Sequence, residues 1–153
     1  MDLNAAVRST MTMARGWRRS AVGLELDPAP LPPVTCHPAQ INQVVMNLVS
    51  NAIEACVAGG RVAVTTRPGA EGVEIHVADD GRGIEPAIRD NIFDPFFTTK
   101  PVGQGAGLGL SISYGIVKDH GGSIDVESEP GRGTRFVVRL PCTPAGPEPS
   151  PPR

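Results

Sequence analysis

The stretch whose reading decides the fold is FDPFFTTKPVGQGAGLGLSISYGIVKDHGG, Phe93 to Gly122. Three phenylalanines and a lysine fall within its first eight residues. Glycines then stand at 103, 105, 107 and 109, followed by a run of helical period that stops at Gly121-Gly122. A greasy, flexible loop that runs straight into a helix start has a chemical use. Backbone N–H groups at a glycine-rich turn and at a helix N-terminus are donors for phosphate oxygens, and the helix dipole adds to the attraction. The segment is not a Walker P-loop, because no Gly-Lys-Ser/Thr follows. It also lacks the spacing and the preceding strand of the dinucleotide fingerprint. It reads as a lid ahead of a phosphate-binding helix start, with a merely flexible loop as the alternative.

The rest of the chain supplies a frame for that segment. HPAQINQVVMNLVSNAIEACVAG (37–59) is the clearest helix, with Pro38 in its first turn and Gly59-Gly60 as its stop. RVAVTTR (61–67) and VEIHVAD (73–79) alternate around a PGAEG turn, and SIDVESE and TRFVVRL flank PGRG, so each pair reads as a hairpin. VGLEL (22–26) is a candidate edge strand, and EPAIRDNIF (85–93) a short helix. Leu3, Val7, Met11 and Ala14 recur at helical spacing, which predicts an amphipathic helix over residues 2–18. Antiparallel strand pairs separated by helices predict a two-layer α/β sandwich, a mixed sheet covered on one face by helices, and not a doubly wound parallel fold.

Composition narrows the class of protein. The chain has 153 residues, 40% apolar but only 4% aromatic, so one domain with an aliphatic core is expected. A net charge of −2 gives no argument for a nucleic-acid or anionic-membrane surface. Cys36, Cys56 and Cys142 are odd in number and widely spaced, which speaks against a disulfide framework or zinc site and for a reducing, cytoplasmic setting. No apolar run approaches the ~20 residues of a membrane span, and the N-terminus lacks the pattern of a signal peptide. The last residues, PCTPAGPEPSPPR, hold six prolines and are expected to form a disordered tail.

Two further clusters suggest chemistry. Asn47, Asn51 and Glu54 share one helix face, opposite Ile41, Val44, Val45, Leu48, Ala52 and Ile53. An amide oxygen can complete a Mg²⁺ shell otherwise made of phosphate and water, although a polar face in water is the plainer reading. DDGRGI (79–84) puts a carboxylate at a strand end ahead of two glycines. Asp79 there could accept a hydrogen bond from an exocyclic amine such as adenine N6, with glycines allowing close backbone approach. An ordinary Asp-Gly turn accounts for it equally.

Taken together, these segments closely resemble the catalytic ATP-binding domain of bacterial sensor histidine kinases, of the nitrogen-regulation and hybrid type. That domain belongs to the superfamily shared with gyrase, the heat-shock chaperone ATPase and mismatch-repair ATPases. NQVVMNLVSNAIEA resembles the N box, DDGRGI the first glycine box, FDPFFTTK the F box and GQGAGLGL the second glycine box. HGGSIDVESEPGRGTRFVVRLP resembles the usual ending, and the likeness covers about residues 22–141. The resemblance implies that Asn51 is the Mg²⁺ ligand, with Asn47 beside it near the phosphates. It implies that Asp79 fixes adenine, that Gly81, Gly83 and Ile84 lie against the base, and that Thr134 reaches it. Phe93, Phe96 and Phe97 anchor the lid, Thr98, Thr99 and Lys100 continue it, and Lys100 approaches the phosphates. Gly103, Gly105, Ala106, Gly107, Leu108 and Gly109 form the phosphate loop, the side chains of Leu108 and Ile112 being expected in the core. Glu54 lies on the rim of the same pocket.

The resemblance also implies what this chain does. Hydrolytic branches of the superfamily carry a glutamate one turn before the Mg²⁺ asparagine. Asn47 stands there instead and cannot act as a base, which favours transfer to a histidine over hydrolysis. The expected cofactors are ATP and Mg²⁺. The expected partners are a phosphoacceptor-histidine dimerisation domain and, through that histidine, a response regulator. His37, His76 and His120 lack the acidic neighbour of a phosphoacceptor motif and are expected to be structural. Residues 1–20 are expected to be a remnant of the dimerisation or linker region, 21–141 the catalytic domain and 142–153 the tail. Such a piece should bind ATP without autophosphorylating. Ala106 departs from the usual Thr or Ser and predicts weaker nucleotide affinity. The alternatives are an anti-sigma-type serine kinase and a degenerate nucleotide-binding interaction module.

Overall fold

A computed structural model describes residues 2–15, 23–32, 34, 36–56, 60–70, 72–89, 91–93 and 109–141. Its elements are α1 (Leu3–Arg15), β1 (Gly23–Pro28), α2 (Pro38–Ala55), β2 (Arg61–Pro68), β3 (Gly72–Asp79), α3 (Pro86–Arg89), α4 (Gly109–Asp119), β4 (Ser123–Glu129) and β5 (Gly133–Pro141). The five strands form one sheet in the order β1-β2-β3-β5-β4. β1 runs parallel to β2 and every other pair is antiparallel. This is the expected mixed sheet of a two-layer α/β sandwich.

The period-two pattern of the strands explains the layering. Val62 and Val64 of β2, Val73, Ile75 and Val77 of β3, and Phe136, Val138 and Leu140 of β5 all face the helices and are buried. Against them α2 presses Ile41, Val44, Val45, Leu48, Val49 and Ala52. Val117 of α4 joins the same cluster. The opposite sheet face carries charge. Glu74 accepts from His76 Nε2 at 2.9 Å and is paired with Arg67 and Arg139, each at 3.4 Å. His76 is thus a buried structural histidine, its Nδ1 turned to Arg135.

Three findings stand beside the expectations. First, Leu3, Val7, Met11 and Ala14 of α1 are buried in the same core as α2 and the sheet. Asn4 Nδ2 also donates to the Ala29 carbonyl, and Asn4 Oδ1 accepts from Thr66. The apolar stripe of α1 finds its partner here, so α1 packs as part of the same body. Second, α2 ends at Ala55 and not at Gly59, because Cys56 is already extended (φ −84°, ψ 151°). The Ala55 carbonyl is taken by the Arg82 N–H at 3.2 Å, a partner from outside the helix. Third, Ile112 is 39% exposed. The inward face of α4 is set by Ser113 and Val117, and Ile112 lies a quarter turn away from it.

Candidate nucleotide site

The site is built where β3 ends, between the C-terminal half of α2 and the start of α4. Asp79 is the last residue of β3, facing the helices opposite Val62 and Thr134. Its Oδ1 accepts from the Gly81 N–H at 2.8 Å. Burial pushes the Asp79 carboxyl above its ordinary range, while the N–H groups of Gly81 and Thr134 pull against that rise. A half-buried carboxylate with spare lone pairs is a strong acceptor for an amine donor.

The loop after Asp79 follows the floor of the site closely. A Cβ on Gly81 would stand 2.2 Å from the Ala55 carbonyl oxygen, so only glycine fits between the end of β3 and the end of α2. Gly83 adopts φ +75°, and the Ile84 N–H donates to Ser128 Oγ at 2.8 Å. Arg82 donates to the Glu54 carbonyl at 3.3 Å, which binds the loop to α2 a second time. Cys56, beside this junction, has its thiol pushed up to about 11 by burial and by the carboxylates of Asp79 and Asp80.

The helix face read as a metal and phosphate surface divides into two parts. Asn47 donates both amide hydrogens to α4, to the Gly109 carbonyl at 3.1 Å and to Ser113 Oγ at 3.2 Å. The side chain of Asn51, one turn on, has no hydrogen-bond partner among the described residues, and its amide oxygen is of the kind that completes a magnesium shell. Glu54 is exposed at the rim. Phe93 is half-buried, its ring 5.3 Å from Tyr114 and 6.2 Å from Phe136. Phe96, Phe97, Thr98, Thr99, Lys100, Gly103, Gly105, Ala106, Gly107 and Leu108 lie outside the described residues.

Residues that the motif reading passed over complete the site. Ser113 is fully buried and is the anchor for Asn47. Ser128 bonds Ile84, Gly133 and Thr134. Gly133 adopts φ +96°, and a Cβ there would meet the Asp79 carbonyl oxygen at 2.0 Å. The PGRG turn signal pointed at a hairpin but not at its contact with Asp79. Among the described residues there is no cluster of three metal-ligating His, Cys, Asp or Glu side chains. No helix among them is long and apolar enough to cross a membrane.

With this geometry in view, the likeness to known proteins is specific. The family model for histidine kinase-, DNA gyrase B- and HSP90-like ATPases matches residues 36–144, and the chain belongs to that family. It is 43% identical over 124 residues to the sensor kinase CckA of Brucella abortus, covering 71% of this chain and 13% of that protein. It is 43% identical over 111 residues to the sensor histidine kinase ZraS of Escherichia coli, covering 72% of this chain and 23% of that one. The chain thus spans under a quarter of the length of these relatives. Among solved structures, the catalytic domain of the histidine kinase ThkA superposes with a TM-score of 0.83 at 34% identity, covering 94% of this chain and 95% of that one. The mycobacterial sensor histidine kinase MprB superposes with a TM-score of 0.84 at 29% identity, covering 94% and 98%. The fold is that of a histidine kinase catalytic domain.

Proposed function

We propose that this chain is the Mg-ATP-binding catalytic unit of a two-component sensor protein-histidine kinase. In this reading Asp79 and Thr134 receive adenine, and Gly81, Gly83 and Ile84 lie along the base. The lid with Lys100 and the glycines from Gly103 to Gly109 surrounds the phosphates. Asn51 would hold the Mg²⁺, whose role is to neutralise charge on the phosphates. The γ-phosphoryl group goes to a neutral imidazole on a helical dimerisation domain. The N–P bond forms as the bond to the β,γ-bridging oxygen breaks, and ADP leaves.

The observation that carries the choice of acceptor is Asn47. It occupies the helix turn before Asn51, and both of its amide hydrogens are committed to α4. Nothing at that position can deprotonate water, whereas an imidazole lone pair needs no base. Catalysis then rests on positioning and charge neutralisation. ThkA, related in fold and sequence, has been solved in complex with the response regulator protein TrrA, which supports a response regulator as the onward partner.

Calorimetric titration with a non-hydrolysable ATP analogue, with and without Mg²⁺, tests the reading. Mg²⁺-sensitive binding that disappears in Asp79→Asn is expected. A helical phosphoacceptor domain added in trans should then acquire acid-labile phosphate from ATP. Acid-stable phosphate would instead mark a serine kinase, and absence of binding would leave an interaction module on a kinase fold.

A further inference from the structure

Ser128 makes three hydrogen bonds beneath the base-binding pair, and their directions are fixed by chemistry. Its hydroxyl has one proton and two lone pairs. The Ile84 N–H, at 2.8 Å, takes one lone pair. The Gly133 carbonyl, at 3.1 Å, can only accept, so it takes the single proton. Thr134 Oγ1 lies 2.9 Å away and is left to donate to the remaining lone pair. Thr134 has then spent its own proton and meets any neighbouring ligand only as an acceptor.

The sheet register puts this arrangement where it matters. Ser128 is the cross-strand partner of Thr134, and Thr134 that of Asp79, so the three stand in a row across β4, β5 and β3. An ionised Asp79 is also acceptor-only. Two adjacent acceptors complement an exocyclic amine and oppose a carbonyl oxygen.

We propose that Ser128 is a positioning residue that fixes Thr134 as an acceptor, so that the site selects a 6-amino purine over a 6-oxo purine. The inference rests on the reading of Asp79 and Thr134 as the base-binding pair. Without the Ser128 hydroxyl, Thr134 is free to turn its proton outward and to satisfy a carbonyl at ring position 6. Selectivity of this kind comes from polar groups left unpaired by the wrong ligand.

The test measures dissociation constants of the imido analogues of ATP and of inosine triphosphate, which carries a 6-oxo group. The proteins are the parent chain, Ser128→Ala, Ser128→Thr, Thr134→Val and the double variant Ser128→Ala/Thr134→Val. The expected result is that Ser128→Ala lowers the ATP-to-inosine preference about tenfold. Ser128→Thr keeps the parent ratio, and Ser128→Ala changes nothing further in the Thr134→Val background. Equal weakening of both nucleotides by Ser128→Ala, or the same change of ratio in both backgrounds, overturns the inference while leaving the site reading intact. A parent chain that binds neither nucleotide overturns both. Should Ser128→Ala melt below the assay temperature, Ser128→Cys takes its place with the same outcomes.

Discussion

Asn47 and Gly109, 62 residues apart, are joined by an amide-to-carbonyl hydrogen bond of 3.1 Å. That bond and its companion to Ser113 Oγ tie the middle of α2 to the first turn of α4. In the sequence, the glycine run proposed to bind phosphate ends at Gly109, the first residue of α4. Asn47 therefore ties the helix that carries Asn51 to the helix start proposed to receive the phosphates.

Asn47→Ala leaves a carbonyl and a buried hydroxyl without their donor. The expected cost is about 1–3 kcal/mol in urea unfolding. Nucleotide affinity should fall with it, because α4 is released at its N-terminal end. A variant within about 0.5 kcal/mol of the parent, the scatter expected of neutral surface substitutions, would show that the tie does not restrain the helices.

Burial of the Asp79 carboxylate costs stability, and pH reveals it. Its folded pKa is raised above the ordinary 3.8, with burial as the leading cause. The folded state then holds this proton more tightly than the unfolded chain, so the contribution of Asp79 to stability is fully present below 3.8 and is lost as pH rises through the folded value. An asparagine side chain at this position does not titrate. Asp79→Asn is thus expected to melt above the parent at about pH 7.5 while losing the nucleotide, and the gap should close as pH falls towards 3.8. Thermal melts across that range check it, and a gap that widens on acidification would falsify the assignment.

Two glycines differ sharply in what they tolerate. A Cβ on Gly133 would stand 2.0 Å from the Asp79 carbonyl oxygen at φ +96°, whereas one on Gly115 meets nothing within 4 Å. Gly133→Ala should cost about 2–4 kcal/mol and displace Asp79. Gly115→Ala, within α4, should stabilise by about 0.4–1 kcal/mol through the unfolded chain and leave nucleotide binding alone. Chemical denaturation of both variants gives the comparison, and similar values for the two would contradict the packing described.

Cys56 sits at the junction of α2 and the loop after β3, its thiol pushed up to about 11. At about pH 8 its thiolate fraction is roughly two orders of magnitude below that of a free cysteine, and alkylation should slow in proportion. Peptide mapping after timed iodoacetamide treatment reads this directly. Labelling of Cys56 at the rate of glutathione would mean that the junction is open in solution.

Much of this protein is determined by its sequence taken alone. Helical and alternating periods, together with glycine and proline signals, placed every element from α1 to β5, because those signals act over a few residues. The four ordered motifs likewise pointed to Asp79, Gly81, Gly83 and Asn51, since each sits beside a turn or on a helix face that short-range geometry defines. Tertiary structure decided what those elements do to one another. The stripe on α1 needed a partner, and only packing showed that α2 and the sheet supply it. The end of α2 at Ala55 depends on an N–H from Arg82. The resemblance implied a place for Asn47 near the phosphates, and only the fold showed that both of its amide hydrogens go to α4. Ser128 lies in the stretch that resembles the family's ending, but that likeness gave it no role, because its partners include Ile84, 44 residues away. A hydroxyl or amide is uncommitted in the chain as written, and which partner it takes depends on which strands and helices the fold brings within about 3 Å of it.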